Sequence, residues 1–107
     1  MNKILKLNTD NIIIDPAGQS DMITDACNHN AKMNVTGLCQ SGDNVLVIFE
    51  QEETFKDLQY VLAPFDSVNI DEMASEISTR YFSGFLFIGG FDVKAKKWGL
   101  FAQKKGE

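Results

Sequence analysis

The stretch CNHNAKMNVTGLCQSGDNVLVIFEQ, residues Cys27–Gln51, decides the predicted fold. Its apolar runs VTGLCQ and NVLVIFEQ flank the segment SGD, and two strands joined by a glycine-containing turn form a β-hairpin. A predicted helix precedes the hairpin. We predict that Ser20 is the N-cap of this helix and that Asn34 closes it in a left-handed conformation.

Short strands are predicted before this helix, over ILKL and NIIID, because the cluster NTDN between them has the composition of a turn. After the hairpin, the sequence predicts an irregular segment followed by the strand QYVLAPF.

A second helix is predicted after Asn69, because Asn69 and Glu72 have the spacing of a capping box and Gly84 is well placed to end the helix. Its apolar residues recur on one face; they are Ile70, Met73, Ala74, Ile77 and Tyr81. The strands FLFIGGFDV and KWGLFAQKK follow. Gly89 and Gly90 are predicted to mark a bulge or bend in the first of them.

These elements predict an α+β fold in a single domain over residues 1–107, because the chain has the length of one hydrophobic core. The predicted architecture is a ferredoxin-like α/β sandwich, a mostly antiparallel sheet with two helices on one face. The order strand, helix, strand, strand occurs twice. Two βαββ repeats are one interpretation, and one sandwich with an irregular segment between its halves is the other.

The distribution of charge narrows the range of partners. The net charge is −5, with five basic and fourteen acidic side chains in residues 1–93 and five lysines and one glutamate in residues 94–107. An acidic body argues against general nucleic-acid binding, which needs clustered Lys and Arg. Because no apolar run reaches membrane-spanning length and the first residues do not form a secretory signal, we expect a cytoplasmic protein with no membrane partner.

The residues that carry catalysis or bind metal are few. Cys27 and Cys39 are not expected to form a disulfide in the cytoplasm, and His29 alone cannot complete a metal site with them. His29 and Cys27 are two residues apart and do not face each other on a helix. We therefore predict no catalytic residues and no metal; a small enzyme that uses Cys39 or His29 is the weaker alternative.

Two predicted strands are apolar on both faces, although a sheet covered on one side should alternate. Six of these side chains are predicted to share one face of the sheet: Val45, Val47, Phe49, Phe85, Phe87 and Phe91. The opposite face carries Leu46, Leu86 and Ile88. Large apolar patches mark contacts, so the six residues are predicted to form an interface in a homodimer or with another protein. Alternatively, ILKL, residues 52–66 or the C-terminal tail covers this face.

A helix that ends in Asn, followed by Thr-Gly, a hairpin and an apolar strand that ends in Glu, also occurs in a known family. The matching residues are Ala26, Asn30, Thr36, Gly37, Leu38 and Glu50. With them, residues 20–51 resemble the BLUF domain, a blue-light sensor that holds FAD in a ferredoxin-like fold. The resemblance implies that fold and, at Asn30, a contact to a flavin.

The chain departs from the BLUF pattern where flavin chemistry would occur. The family has a tyrosine in its first strand, and NIIID has none. Val47 stands at the position of the family's glutamine, and Gln51 replaces the final glycine. Valine offers none of the hydrogen bonds that a flavin ring edge needs. We therefore predict the scaffold without a cofactor, a small acidic non-enzymatic binding or regulatory domain; the alternative is an FAD- or nucleotide-binding protein that uses Asn30.

Overall fold

The computed structural model describes residues 2–29, 32–51 and 56–104, and within them the side chains of all but Asn2, Asn28 and His29. This part of the chain forms three helices and two three-stranded antiparallel sheets. The elements are β1 Asn2–Asn8, α1 Thr9–Ile14, α2 Pro16–His29, β2 Met33–Ser41, β3 Asn44–Gln51, β4 Leu58–Pro64, α3 Ile70–Phe82, β5 Phe85–Val93 and β6 Lys96–Lys104.

The two sheets have the same internal order. In the first unit, which comprises β1, α1, α2, β2 and β3, the sheet order is β1-β3-β2. In the second unit, β4, α3, β5 and β6, the order is β4-β6-β5. Two-residue turns close both hairpins, with Gly42 and Lys94 at positive φ, as such turns require. The predicted α+β class and the antiparallel strands are confirmed, whereas the strands lie in two sheets and not in one.

The first strand of the chain is ILKL, as predicted, but NIIID is helical. Asn8 caps α1, because its side chain accepts a hydrogen bond of 2.8 Å from the Asp10 amide. Ile12 is fully buried, whereas Ile13 and Ile14 are exposed. The run of three isoleucines suggests a buried strand, but the fold buries only one of them.

Helix α2 begins at Pro16, four residues earlier than predicted. Proline suits a first helical position, where the missing N–H has no partner to lose. The Asp15 carboxylate accepts a hydrogen bond of 3.0 Å from the Gly18 amide and so satisfies one free N–H of the first turn. Ser20 therefore lies inside the helix and does not cap it.

Side chains of α2 cover the outer edge of β4. The Thr24 hydroxyl accepts a hydrogen bond of 2.9 Å from the Tyr60 amide, and the Ser20 hydroxyl accepts one of 2.9 Å from the Leu62 amide. An uncovered sheet edge is a template for pairing with other chains. This contact therefore protects the edge and joins the first unit to the second.

Two amide side chains also connect different parts of the fold. Asn34 lies in β2 and not at the helix end, where Lys32 takes the left-handed conformation instead. Its Nδ2 donates to the Lys56 carbonyl at 2.8 Å, and its Oδ1 accepts from the Lys56 amide at 3.0 Å. Gln40 makes the equivalent pair of hydrogen bonds to the backbone of Asp92. In each case the side-chain amide bonds to the N–H and C=O of one backbone residue, as a residue of a neighbouring strand would.

The ends of α3 are those predicted. The Asn69 side chain accepts from the amides of Asp71 and Glu72 at 3.0 and 3.2 Å. Ser83 follows the last helical residue, and Gly84 then has a φ of 95°, which glycine adopts without strain.

The core lies between the sheets and draws on α1 and α2. Its buried side chains are Leu7, Ile12, Ile23, Cys27, Met33, Val35, Val45, Val47, Phe49, Tyr60, Leu62, Phe91, Val93, Trp98, Leu100 and Ala102.

Strand β5 contains the predicted irregularity, because its register with β6 shifts between Phe87 and Gly89. Phe87 pairs with Phe101, whereas Phe91 pairs with Trp98, a residue of the core cluster. The prediction that Phe91 shares a face with Phe85 and Phe87 is therefore wrong, because a bulge reverses the alternation of side chains.

Candidate functional site

Half of the predicted interface is used inside the chain. Val45, Val47 and Phe49 are 0% exposed in the core cluster, as expected of side chains that share one face. Part of their cover comes from Tyr60 and Leu62 of β4, within the segment 52–66 that was weighed as the alternative cover. These side chains do not meet a second molecule in this fold.

Of the other three predicted interface residues, Phe85 and Phe87 lie under α3, whereas Phe91 belongs to the core cluster. Phe87 contacts Phe65 and Phe101, with ring centroids 6.1 and 5.4 Å away. The Arg80 guanidinium lies over the Phe101 ring, 4.5 Å from its centroid, in cation–π geometry. Phe85 is half-buried beside them. These rings form the platform under the helix.

A small cavity of about 240 Å³ lies beside this platform. Val61, Ala63, Phe85 and Phe101 give it apolar walls, and Arg80 contributes the only charge among its lining residues. The Arg80 Nη2 donates to the carbonyl oxygen of β4's last residue at 3.2 Å. Among the described residues, the lining contains no nucleophile or general base.

Helix α3 is poorly covered. None of its thirteen residues is buried, and the predicted apolar stripe remains largely in solvent, with Ile70 75% and Tyr81 63% exposed. Phe82 is 89% exposed, and Leu86, at the start of β5, is 49% exposed. Tyr81, Phe82 and Leu86, with Ile77 and Phe87, line one shallow groove. We call Tyr81, Phe82 and Leu86 the aromatic surface.

Sequence reasoning missed this surface for an identifiable reason. Helical periodicity places Tyr81 on the apolar face of α3 and gives no prediction for Phe82. Periodicity shows which residues share a face, but not whether the rest of the chain is large enough to cover that face. A signal is present in the adjacent pair Tyr81–Phe82, because neighbouring residues on a helix point about 100° apart, so a helix packed on one side only leaves part of such a pair in solvent.

Tyr60 is a buried titratable residue whose pKa is perturbed. Its hydroxyl oxygen accepts a hydrogen bond of 3.1 Å from the Val35 amide and so connects β4 to β2. Burial raises the pKa of Tyr60 to about 12, against the smaller opposing effect of that hydrogen bond. A buried neutral phenol with a structural partner serves stability, not proton transfer at neutral pH.

The residues weighed for catalysis and metal binding are Cys27, Cys39 and His29. Cys27 is buried and Cys39 is exposed, and no disulfide joins them. His29 is the last residue of α2, and its side chain lies outside the described part. No group of three or more His, Cys, Asp or Glu side chains among the described residues could hold a metal ion.

The flavin expectation stays a prediction. Asn30 lies outside the described residues. Val47, at the position of the BLUF glutamine, is buried in the core, and the Thr36 hydroxyl donates to the Glu50 carboxylate at 2.8 Å on the surface.

No protein-family model, curated protein or solved structure matches this chain significantly. No helix in the described part is long and apolar enough to cross a membrane.

Proposed function

We propose that this chain is a small acidic, non-enzymatic binding or regulatory domain that self-associates through the aromatic surface. The observation that carries the proposal is the exposure of Phe82, 89% in solvent, beside the exposed Tyr81 and Leu86. Clustered exposure of large apolar side chains marks a contact surface, whereas a single exposed one does not.

The energetics are compatible with association. Complete burial of one large apolar side chain contributes about 1.5–3 kcal/mol. The free energy gained by burying three such residues on each partner offsets at least the lower part of the cost of association, which is about 4–15 kcal/mol. The surface therefore supports a modest, concentration-dependent complex.

The charge distribution supports a protein partner. The chain carries a net charge of −5, and α3 itself carries Asp71, Glu72 and Glu76 against the single base Arg80. Such a surface repels phosphate backbones, which require a basic patch. For the scaffold, we propose the ferredoxin-like sandwich, which two βαββ units with antiparallel strands are compatible with.

The test is a pair of substitutions of exposed apolar residues. Phe82→Ser removes the most exposed side chain of the aromatic surface, and Ile14→Ser removes one that is 79% exposed on α1, as a control. We expect self-association and the binding of a hydrophobic dye to fall in Phe82→Ser and to be unchanged in Ile14→Ser. Equal behaviour of both variants and the unmodified protein would exclude the aromatic surface.

A further inference from the structure

The contact between α2 and β4 depends on matched spacings. Ser20 and Thr24 are four residues apart on a helix, about 6.0 Å along its axis. Leu62 and Tyr60 are two residues apart on a strand, about 6.6 Å. Each hydroxyl therefore faces one outward N–H, and both bonds measure 2.9 Å. The helix and the strand run in opposite directions along this contact.

The same pattern of hydroxyls recurs in α3 without a partner strand. Ser75 and Thr79 repeat the spacing of Ser20 and Thr24, and both are exposed. On α2, the buried face consists of Ser20, Ile23, Thr24 and Cys27. The corresponding positions of α3 are Ser75, Ser78, Thr79 and Phe82, and all four are exposed. They point away from the sheet, because Met73, Ile77 and Arg80 occupy the half-buried side.

Strand β1 is an edge strand like β4, but among the described residues no side chain bonds to its outer edge as α2 does to that of β4. The Thr9 amide donates to the Asp43 carbonyl at 2.9 Å, so the odd-numbered amides of β1 face β3. The amides of Ile4 and Lys6 therefore point outwards. In β4 the Phe65 amide donates to the Lys97 carbonyl at 2.8 Å. The odd-numbered amides of β4 therefore face β6, and the even-numbered amides point outwards, as in β1.

Charge and apolar exposure are complementary between this edge and α3. β1 carries Lys3 and Lys6, whereas α3 carries the exposed Asp71 and Glu72 in its first turn. Ile4 is 57% exposed on β1, and Phe82 lies one turn beyond Thr79 on α3. Opposite charges at the rim favour one register and orientation of docking.

We propose that α3 of one copy lies along the β1 edge of a second copy, where Ser75 and Thr79 accept hydrogen bonds from the amides of Lys6 and Ile4. The arrangement repeats, between chains, the contact that α2 makes with β4 within one chain. The proposal rests on the proposed self-association and names the surfaces that meet. Because the hydroxyl face of α3 points away from its own sheets, the partner edge belongs to another molecule.

Disulfide trapping tests this pairing directly. In a Cys39→Ser background, which removes the exposed thiol, the variants Ser75→Cys and Lys6→Cys are prepared separately and mixed under mild oxidation. We expect a disulfide-linked dimer that contains one copy of each variant, because disulfides need Cα atoms within about 7 Å. Asp43→Cys replaces Lys6→Cys in the control, since it lies exposed in a turn of the same sheet, and it is expected to give no such dimer.

A backbone variant gives a second readout. Lys6→Pro removes the outward amide, and Pro is tolerated where a strand's N–H faces solvent. We expect it to weaken self-association at least about tenfold more than Lys6→Ala does, because an unmade hydrogen bond is added to the lost charge. A complex that forms without the 75–6 disulfide and is equally stable in Lys6→Pro and Lys6→Ala would overturn the pairing and leave the proposed function intact. A protein that stays monomeric at high micromolar concentration and binds no hydrophobic dye would overturn both.

Discussion

The hydroxyl oxygen of Ser20 lies 2.9 Å from the amide nitrogen of Leu62 and also donates to the Pro16 carbonyl at 2.6 Å. One hydroxyl of the first unit thus donates to a carbonyl of its own helix and accepts from an amide at the edge of the second unit's sheet. Because both groups are buried, the bond is shielded from water. The contact therefore connects the two units.

Removal of this hydroxyl is expected to destabilise the protein. Ser20→Ala leaves the Leu62 amide buried without an acceptor, which costs about 1–3 kcal/mol of unfolding free energy. Denaturant unfolding followed by the fluorescence of Trp98, the single tryptophan, measures the change. Ser41→Ala on β2 is the control, because its exposed hydroxyl should contribute within about 0.5 kcal/mol. Equal losses in the two variants would contradict the assigned role of Ser20.

Replacement of Asn34 by its isostere aspartate is expected to destabilise the protein. Asn34→Asp keeps the acceptor for the Lys56 amide but places a carboxylate, in place of the donor, against the Lys56 carbonyl. Because the site is buried, we expect a loss of more than about 3 kcal/mol at neutral pH. The loss should shrink as the pH falls towards about 4, where the new carboxyl group can donate. Exposed Asn44→Asp is the control, and a similar cost there would contradict the prediction.

Tyr60 is expected to make stability depend on pH in the alkaline range. Its pKa is raised from 10.0 to about 12, so the folded protein retains a proton that the unfolded chain releases. This contribution is complete below pH 10 and is lost as the pH rises to about 12. Tyr60→Phe should remove that slope and also cost about 1–3 kcal/mol at neutral pH, because the Val35 amide loses its acceptor.

The second tyrosine provides the control for that experiment. Tyr81→Phe alters a side chain that is 63% exposed and leaves Tyr60 as the only tyrosine, since the sequence contains two. Phenolate absorbance in this variant should appear only near pH 12. Titration at an ordinary tyrosine pKa in the folded variant would contradict the burial of Tyr60.

The platform under α3 depends on a glycine. A Cβ at Gly99 would lie 2.8 Å from Phe101 Cε2 and 3.1 Å from Phe87 Cε1. Gly99→Ala is therefore expected to displace both rings and to cost about 1–3 kcal/mol, the usual range for overpacking. Gly90→Ala, where the nearest atom lies 3.5 Å away, should be less costly. If Gly90→Ala unfolds at a lower temperature than Gly99→Ala, this result would contradict the tight packing at Gly99.

Much of the fold was predictable because its signals are local. The hairpin around Gly42, the cap at Asn69 and the bulge near Gly89 all follow from backbone preferences of single residues. The duplicated order of elements was one of two interpretations, since order alone does not say whether six strands form one sheet or two.

The errors concern choices that depend on distant residues. Asn34 was predicted to cap a helix, but its partner Lys56 is remote in sequence. NIIID suits a strand, and its helical form depends on the burial of Ile12 against other elements. The face that contains Val45 is apolar as predicted, but no local pattern showed that the second unit would cover it. The exposed Phe82 was missed for the same reason.

The most direct test of the central claim is the molar mass of the unmodified protein in solution. Light scattering over a concentration series from low to high micromolar should show the mass rising from that of the 11.9 kDa chain to at least twice that value. Such a rise is the result predicted by the exposed aromatic surface and the uncovered β1 edge. A mass that stays at that of one chain throughout the series would contradict self-association.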